Sequence, residues 1–186
     1  MMLKFYAIFI IGISFAHAAL CNDVVHSSIR EIDADVLFMR HALAPGFGDP
    51  ENFLLSDCST QRNLSSAGQK QAINIGALLA NSDVQFDTVL SSHWCRCYET
   101  AALMSLGEVV RFSGLNSFFQ GHANKEETLL ELQNYFNEKP DERLALMVTH
   151  QVVISAVTGI YTNSGEFVAY NSKTGDTRAF TLDISP

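Results

Sequence analysis

Apolar residues gather into short blocks along this chain, and the block lengths predict alternating strands and helices. Asp35-Val36-Leu37-Phe38-Met39 is too short for a helix and lacks polar alternation, so it predicts a buried strand ending at Arg40-His41. Thr88 to Ser91 predicts a second strand and Val109 to Phe112 a third. Leu144 to Val148 is apolar throughout, as a central strand covered on both faces must be. Two late strands are expected at Glu166–Tyr170 and Ala179–Ile184. Between these blocks the period changes to that of helices. Ser65 can cap a helix to about Asn81, with Ala72, Ile75, Leu78 and Leu79 on one face. A second helix is expected from Trp94 to Leu106, with Gly107 as its stop. Asn124, with Glu127 three residues on, has the pattern of a capping box for a third. Gln151 to Ala156 predicts a fourth, ending near Gly159. Ala44 to Asn63, with Pro45, Gly46, Gly48 and Pro50, predicts a long loop, and such loops in compact domains are commonly functional. Strands alternating with helices predict an α/β fold, a sandwich with a largely parallel sheet.

The N-terminus follows a different rule. Lys4 precedes an apolar run, Phe5 to Phe15, and Ala16-His17-Ala18 places small residues where a signal peptidase reads. Residues 1–18 are therefore expected to be a signal peptide, residues 19–33 a polar, mobile lead-in, and residues 34–186 the folded domain. Cleavage near Ala18 would leave a periplasmic or secreted protein with no membrane span in the mature chain. The alternatives are an uncleaved membrane anchor, for which the run is short of the ~20 residues a span needs, and a lipoprotein at Cys21, where Leu20 is a poor preceding residue. Export makes disulfides possible for Cys21, Cys58, Cys95 and Cys97. A bridge from Cys58 to Cys95 or Cys97 and a set of buried free thiols both remain open. With 47% hydrophobic and 17% charged residues the chain can bury a core. Its net charge of −8 argues against wrapping nucleic acid and weakly against anionic lipid.

The predicted strand ends carry the chemistry. Arg40 and His41 close the first strand, Arg96 follows the second, and His150 follows the apolar fourth. Parallel strands bring such ends to one sheet edge, where open α/β sheets bind ligands. Two arginines and two histidines there suit a phosphoryl dianion, since guanidinium forks bind its oxygens bidentately and helix N-termini add backbone donors. Arg62, just before the first long helix, could supply a third guanidinium. His41, His93, His150 and the Cys95/Cys97 pair lack the tight ligand spacing of zinc sites, and nearby arginines would repel a cation, so no metal and no cofactor are expected. No Gly-x-Ser-x-Gly elbow of a serine hydrolase is present.

Four segments resemble the histidine phosphatase superfamily, in an exported bacterial member. Leu37 to Ala42 is similar to its Arg-His-Gly opening, and Leu64 to Ala72 to its Leu-Thr-x-x-Gly-x-x-Gln-Ala helix start. Ser91 to Ala101 is similar to its Ser-x-x-x-Arg-x-x-x-Thr-Ala segment, and Val148-Thr149-His150 to its second histidine. The resemblance implies a phosphoglycerate mutase-like, three-layer α/β/α sandwich with a central, largely parallel mixed sheet. It implies that His41 attacks phosphorus while Arg40, Arg96 and His150 hold the phosphoryl oxygens. Two positions depart from the pattern. Ala42 replaces a glycine. Where many members carry a glutamate proton donor, this chain reads Leu115 to Gly121 with no carboxylate. Asp49 is the preferred substitute donor, with Glu51 and Glu126 as further candidates. The expected activity is hydrolysis of a phosphomonoester, on a small phosphorylated molecule or an envelope-sugar phosphate. A phosphohistidine protein phosphatase and a catalytically inactive phosphate-binding module are the alternatives.

Overall fold

A computed structural model describes residues 24–140 and 143–184. The expected signal peptide and cleavage site, and Cys21, lie outside the described residues. Six strands, β1 (Val36–Arg40), β2 (Thr88–Ser91), β3 (Val109–Arg111), β4 (Ala145–Thr149), β5 (Phe167–Tyr170) and β6 (Thr177–Phe180), form one sheet in the order β3-β2-β4-β1-β5-β6. β3, β2, β4 and β1 are parallel, and β5 and β6 add antiparallel at one edge. The register pairs Arg40 with Thr149, and Ser91 with Val148, so these strand ends lie side by side. The last strand lies earlier than expected, at Thr177–Phe180 in place of Ala179–Ile184. The turn before it sets its pairing, because Asn171 accepts from Lys173 N and Thr174 N and so closes the hairpin early.

The four long helices are α1 (Ser66–Ala80), α2 (Cys95–Met104), α3 (Lys125–Glu138) and α4 (Gln151–Thr158). Their ends follow local chemistry. Ser65 accepts from Gly68 N and caps α1, and Asn124 accepts from Glu127 N and caps α3. Gly159 ends α4 with φ of 72°, a conformation that costs glycine little. α2 stops earlier than expected, with Ser105 in the left-handed region and Gly107 beyond it.

Strand alternation divides the core. Leu37 and Met39 of β1, with Leu146 and Val148 of β4, face α1 and α2. Val36, Phe38, Ala145 and Met147 face Leu132 and Phe136 of α3 and Val153 and Ile154 of α4. The result is the three-layer α/β/α sandwich with a mixed sheet. The lead-in differs from expectation. Residues 24–30 are helical, and Val25 is fully buried in the layer that holds α1 and α2. Val25, Ile29 and Ile32 recur at helical spacing, too briefly to stand out beside the polar residues between them. Among the described residues no helix is long and apolar enough to cross a membrane.

Candidate active site

His41 leaves β1 at the sheet edge and is buried. The backbone on either side of it is clamped. His41 N donates to Thr149 O at 3.0 Å and Ala42 N to Thr100 Oγ1 at 3.1 Å. Leu43 N donates to Gln71 Oε1 at 2.8 Å, and Leu43 O faces the first turn of α1. A Cβ on Gly68 would sit 2.0 Å from that carbonyl oxygen, so only glycine lets α1 approach so closely. Ala42 has no positive φ, which is why alanine is accepted there.

Hydrogen bonds at both nitrogens fix the orientation of the ring. Nδ1–H donates to Ala42 O at 2.8 Å, which leaves the lone pair on Nε2. Arg96 Nε donates to Nε2 at 3.3 Å. Arg96 Nη2 lies 3.5 Å from His150 Nδ1, so the Nε–Nη2 edge of this guanidinium spans both imidazoles. The two rings are 5.6 Å apart between centroids. His150 Nε2 meets Ser92 Oγ at 3.0 Å, and Ser92 donates to Asn116 Oδ1 at 3.2 Å. Asn116 also accepts from His93 N at 2.9 Å. Asn116 and Ser92 thus fix His150, a task that nothing in local spacing announces.

Asp49 takes a different place from the one expected. Arg96 Nη1 and Nη2 donate to its two oxygens at 2.8 and 3.1 Å. Arg62 N and Trp94 Nε1 donate to it at 3.0 Å each. Its side chain is 4% exposed. Burial pushes its carboxyl upward, but the Arg96 fork and the two other donors outweigh that and hold it below the ordinary carboxylate range. An ionised acceptor with every contact taken cannot protonate a leaving oxygen. As placed here, Asp49 orients Arg96, and this geometry gives it no proton to donate. Glu51 and Glu126 are exposed and do not line the cleft.

The remaining guanidiniums complete the cradle. Arg62 Nε donates to Gly48 O at 2.8 Å and Nη1 to Ala44 O, so the long loop wraps around it. Burial, with Arg96 close by, lowers its pKa to about 10. Arg40 Nη1 donates to Thr162 O at 2.7 Å, while its buried Nε has no partner. A buried donor of this kind suits an incoming anion oxygen. Arg40, His41, Arg62, Arg96 and His150 all line one cleft of about 260 Å³. Phe47, Phe119 and Tyr161 stand at the same cleft. Trp94 is core, fully buried. No group of three or more His, Cys, Asp or Glu among the described residues is placed to hold a metal ion.

A disulfide joins Cys58 to Cys95, one of the two bridges left open by the sequence. Cys95 opens α2 immediately before Arg96, and its N–H donates to Gln61 Oε1 at 3.0 Å. Arg96 Nη1 also donates to Arg62 O at 3.2 Å. The bridge therefore ties the segment carrying Arg62 to the helix carrying Arg96. Cys97 is buried as a free thiol, and burial pushes it up to about 12, so it is inert.

Burial first, and the arginines second, hold both imidazoles well below their ordinary value. Both are neutral at pH 7 in the folded protein. The unfolded chain protonates them as pH falls through ~6.5, while the folded chain does not. Stability is therefore lost from about pH 6.5 downward, by up to ~1.4 kcal/mol per pH unit for each ring. Asp49 acts in a separate window, because its pairing fails only below the unfolded carboxylate range, ~3.9. Urea unfolding at pH 7.5 and 5.5 is expected to show the loss. Saturating phosphate is expected to reduce it, since a bound dianion favours protonated rings.

No protein-family model matches the chain, and no curated protein matches it by sequence. Solved structures do match its fold. An alpha-ribazole phosphatase from Shigella flexneri shares 18% identity at a TM-score of 0.53, covering 80% of this chain and 95% of its own. A mycobacterial glucosyl-3-phosphoglycerate phosphatase shares 13% at 0.53, covering 81% and 98%. The protein histidine phosphatase SixA, complexed with tungstate, shares 18% at 0.51, covering 78% and 93%. At these identities the likeness is one of fold: this chain has the α/β/α fold of these phosphatase structures.

Proposed function

We propose that the chain is a phosphatase that hydrolyses a phosphomonoester through a phosphohistidine on His41. The observation that carries the reading is the state of His41. Its Nδ1–H is tied to a backbone carbonyl, and its Nε2 lone pair opens onto three guanidiniums and a second imidazole. A neutral imidazole in that position is a competent nucleophile. Arg96 offers the phosphoryl group its Nε–Nη2 edge and Arg40 its unpaired Nε, while His150, whose Nε2–H donates to Ser92, holds Arg96 Nη2 through its Nδ1 lone pair. Arg62 adds positive charge. These donors are already oriented, so they stabilise charge on the equatorial oxygens with little reorganisation. The chemistry needs no step beyond attack by His41 and hydrolysis of the phosphoenzyme by water.

A small phosphorylated molecule is the proposed substrate, since the cleft is narrow and buried at its floor. The SixA structure, with an oxyanion bound, supports phosphate as the group recognised by this fold. A second reading follows from the missing acid. A phosphorylated protein histidine would also leave without strong protonation, and the inactive module is the limit in which nothing leaves. The Cys58–Cys95 bridge supports an oxidising compartment, and so an exported mature chain cleaved near Ala18.

The test is to quench the enzyme during turnover of an aryl phosphate and locate the phosphoryl group by mass spectrometry. An acid-labile, base-stable adduct on His41 is expected. Turnover without an adduct there, or an adduct on His150, would refute the mechanism. Tight phosphate binding with no turnover of any ester would leave only the module.

A further inference from the structure

The cleft has two chemically distinct halves. Its floor is guanidinium and imidazole. Its mouth is aromatic: Phe47 is 87% exposed and Tyr161 80% exposed, and both line it. Phe47 is held rather than loose. Its ring meets Phe119 edge to face at 5.1 Å between centroids, and Gly46 and Gly48 on either side have positive φ, which turns the loop so that Phe47 stands at its tip. Large apolar side chains left this exposed, beside a charged pocket, are a surface awaiting a flat apolar partner.

The second observation concerns the leaving group. Among the described residues that line the cleft there is no carboxylate. Asp49, the carboxylate behind them, is ionised and fully engaged by Arg96, Arg62 and Trp94. The side-chain hydroxyls on the lining are those of Ser117 and Tyr161. An alkoxide leaving from such a site would have to depart as the anion of an alcohol, a hydroxyl nearly as weak an acid as water. A phenol ionises near ~10, so a phenolate leaves without a proton.

Resting on the phosphatase reading, we propose that the cleft is built for the phosphate ester of an aromatic hydroxyl. The phosphoryl group sits among Arg40, Arg62, Arg96 and His150, and the aryl ring lies against Phe47, Phe119 and Tyr161. The lone pair of His41 Nε2 forms the N–P bond as the P–O(aryl) bond breaks. Both electrons of that bond leave on the phenolate, which takes a proton from solvent after departure. Water then attacks phosphorus, the N–P electrons return to Nε2, and the proton of the water leaves with phosphate or to solvent.

The experiment compares phenyl phosphate, glycerol phosphate and phosphoramidate on the purified oxidised protein, with His41 labelling followed in each. The expected result is a kcat/KM for phenyl phosphate at least ~100-fold above that for glycerol phosphate, the range a missing general acid sets. Phe47→Ala and Tyr161→Ala are each expected to lower the ratio of phenyl phosphate to phosphoramidate turnover about tenfold. Both side chains are largely solvent-facing, so these variants should fold. Tyr161→Phe keeps the ring and is expected to keep the aryl preference. Equal turnover of the alkyl ester through a labelled His41 would overturn the proposal and leave the phosphatase reading intact. So would loss of alkyl turnover in Tyr161→Phe, which would make that hydroxyl the acid. Phosphoramidate turnover alone, with His41 labelled, would likewise end the aryl assignment. No labelling with any of the three would end both.

Discussion

Replacing His41 by alanine is expected to lower kcat/KM for an aryl phosphate by about 10³-fold or more, while inorganic phosphate still binds within about tenfold of wild type. The asymmetry follows from the division of labour in the cleft. The lone pair on Nε2 has no substitute, since His150 Nε2 is engaged with Ser92 and its Nδ1 faces Arg96. Removing a nucleophile from a covalent mechanism removes the route, and what survives is catalysis by the oriented donors. Those donors keep their other supports when the Arg96 Nε contact to His41 is lost. Arg96 is held by Asp49 and Arg62 O, Arg62 by Gly48 O and Ala44 O, and Arg40 by Thr162 O. Steady-state kinetics and phosphate inhibition measure the two quantities separately. Retained turnover would remove His41 from the mechanism. Loss of phosphate binding together with turnover would mean that the ring supports the cradle, and circular dichroism would show whether the fold went with it.

Opening the Cys58–Cys95 bridge is expected to have the largest effect on stability. The bridge spans 37 residues of chain. Closing a loop of that length in the unfolded state is worth about 4 kcal/mol in the chain-entropy account. For a domain of this size that is a fall in Tm of about 10 °C. Function should suffer as well, because the bridge is where the loop carrying Arg62 meets the helix carrying Arg96. The double variant Cys58→Ala/Cys95→Ala is expected to lose about tenfold in phosphate affinity, and reductant should do the same to wild type and nothing further to the variant. Thermal melts and inhibition by phosphate, each with and without dithiothreitol, make the comparison. An unchanged Tm in the double variant would show that packing alone holds the segment. An unchanged phosphate affinity would remove the bridge from the site.

The two predictions depend on different kinds of information, and the chain shows why. Ser65, Asn124 and Gly159 act on backbone groups within a few residues of themselves, so α1, α3 and the end of α4 were legible from local spacing. The apolar blocks at Val36–Met39 and Leu144–Val148 lacked alternation because both faces of β1 and β4 are covered, and that too is written locally. The convergence of Arg40, His41, Arg96 and His150 needed one further step, the rule that parallel strands share an end. The helix at residues 24–30 was missed because its apolar spacing repeats too few times to stand above its polar neighbours. The late strand was displaced because a turn, not the apolar pattern, sets its register.

What the sequence by itself determined was the α/β alternation, the helix caps and the strand-end positions of the charged groups. Each of these depends on neighbours a few residues away or on a repeating period. What only the tertiary structure decided was the identity of long-range partners. Asp49 meets Arg96 across 47 residues, Ser92 meets His150 across 58, and Cys58 chose Cys95 over Cys97. Ser92 and His150 meet because β2 and β4 are neighbours in the sheet, whereas the Asp49 and Cys58 pairings depend on the path of the Ala44–Asn63 loop, whose shape is set by glycine conformations and by hydrogen bonds to Arg62 that no local pattern encodes. The same carboxylate can donate a proton when left free in a pocket or orient a guanidinium when pinned beneath it, and its surroundings in three dimensions select between the two.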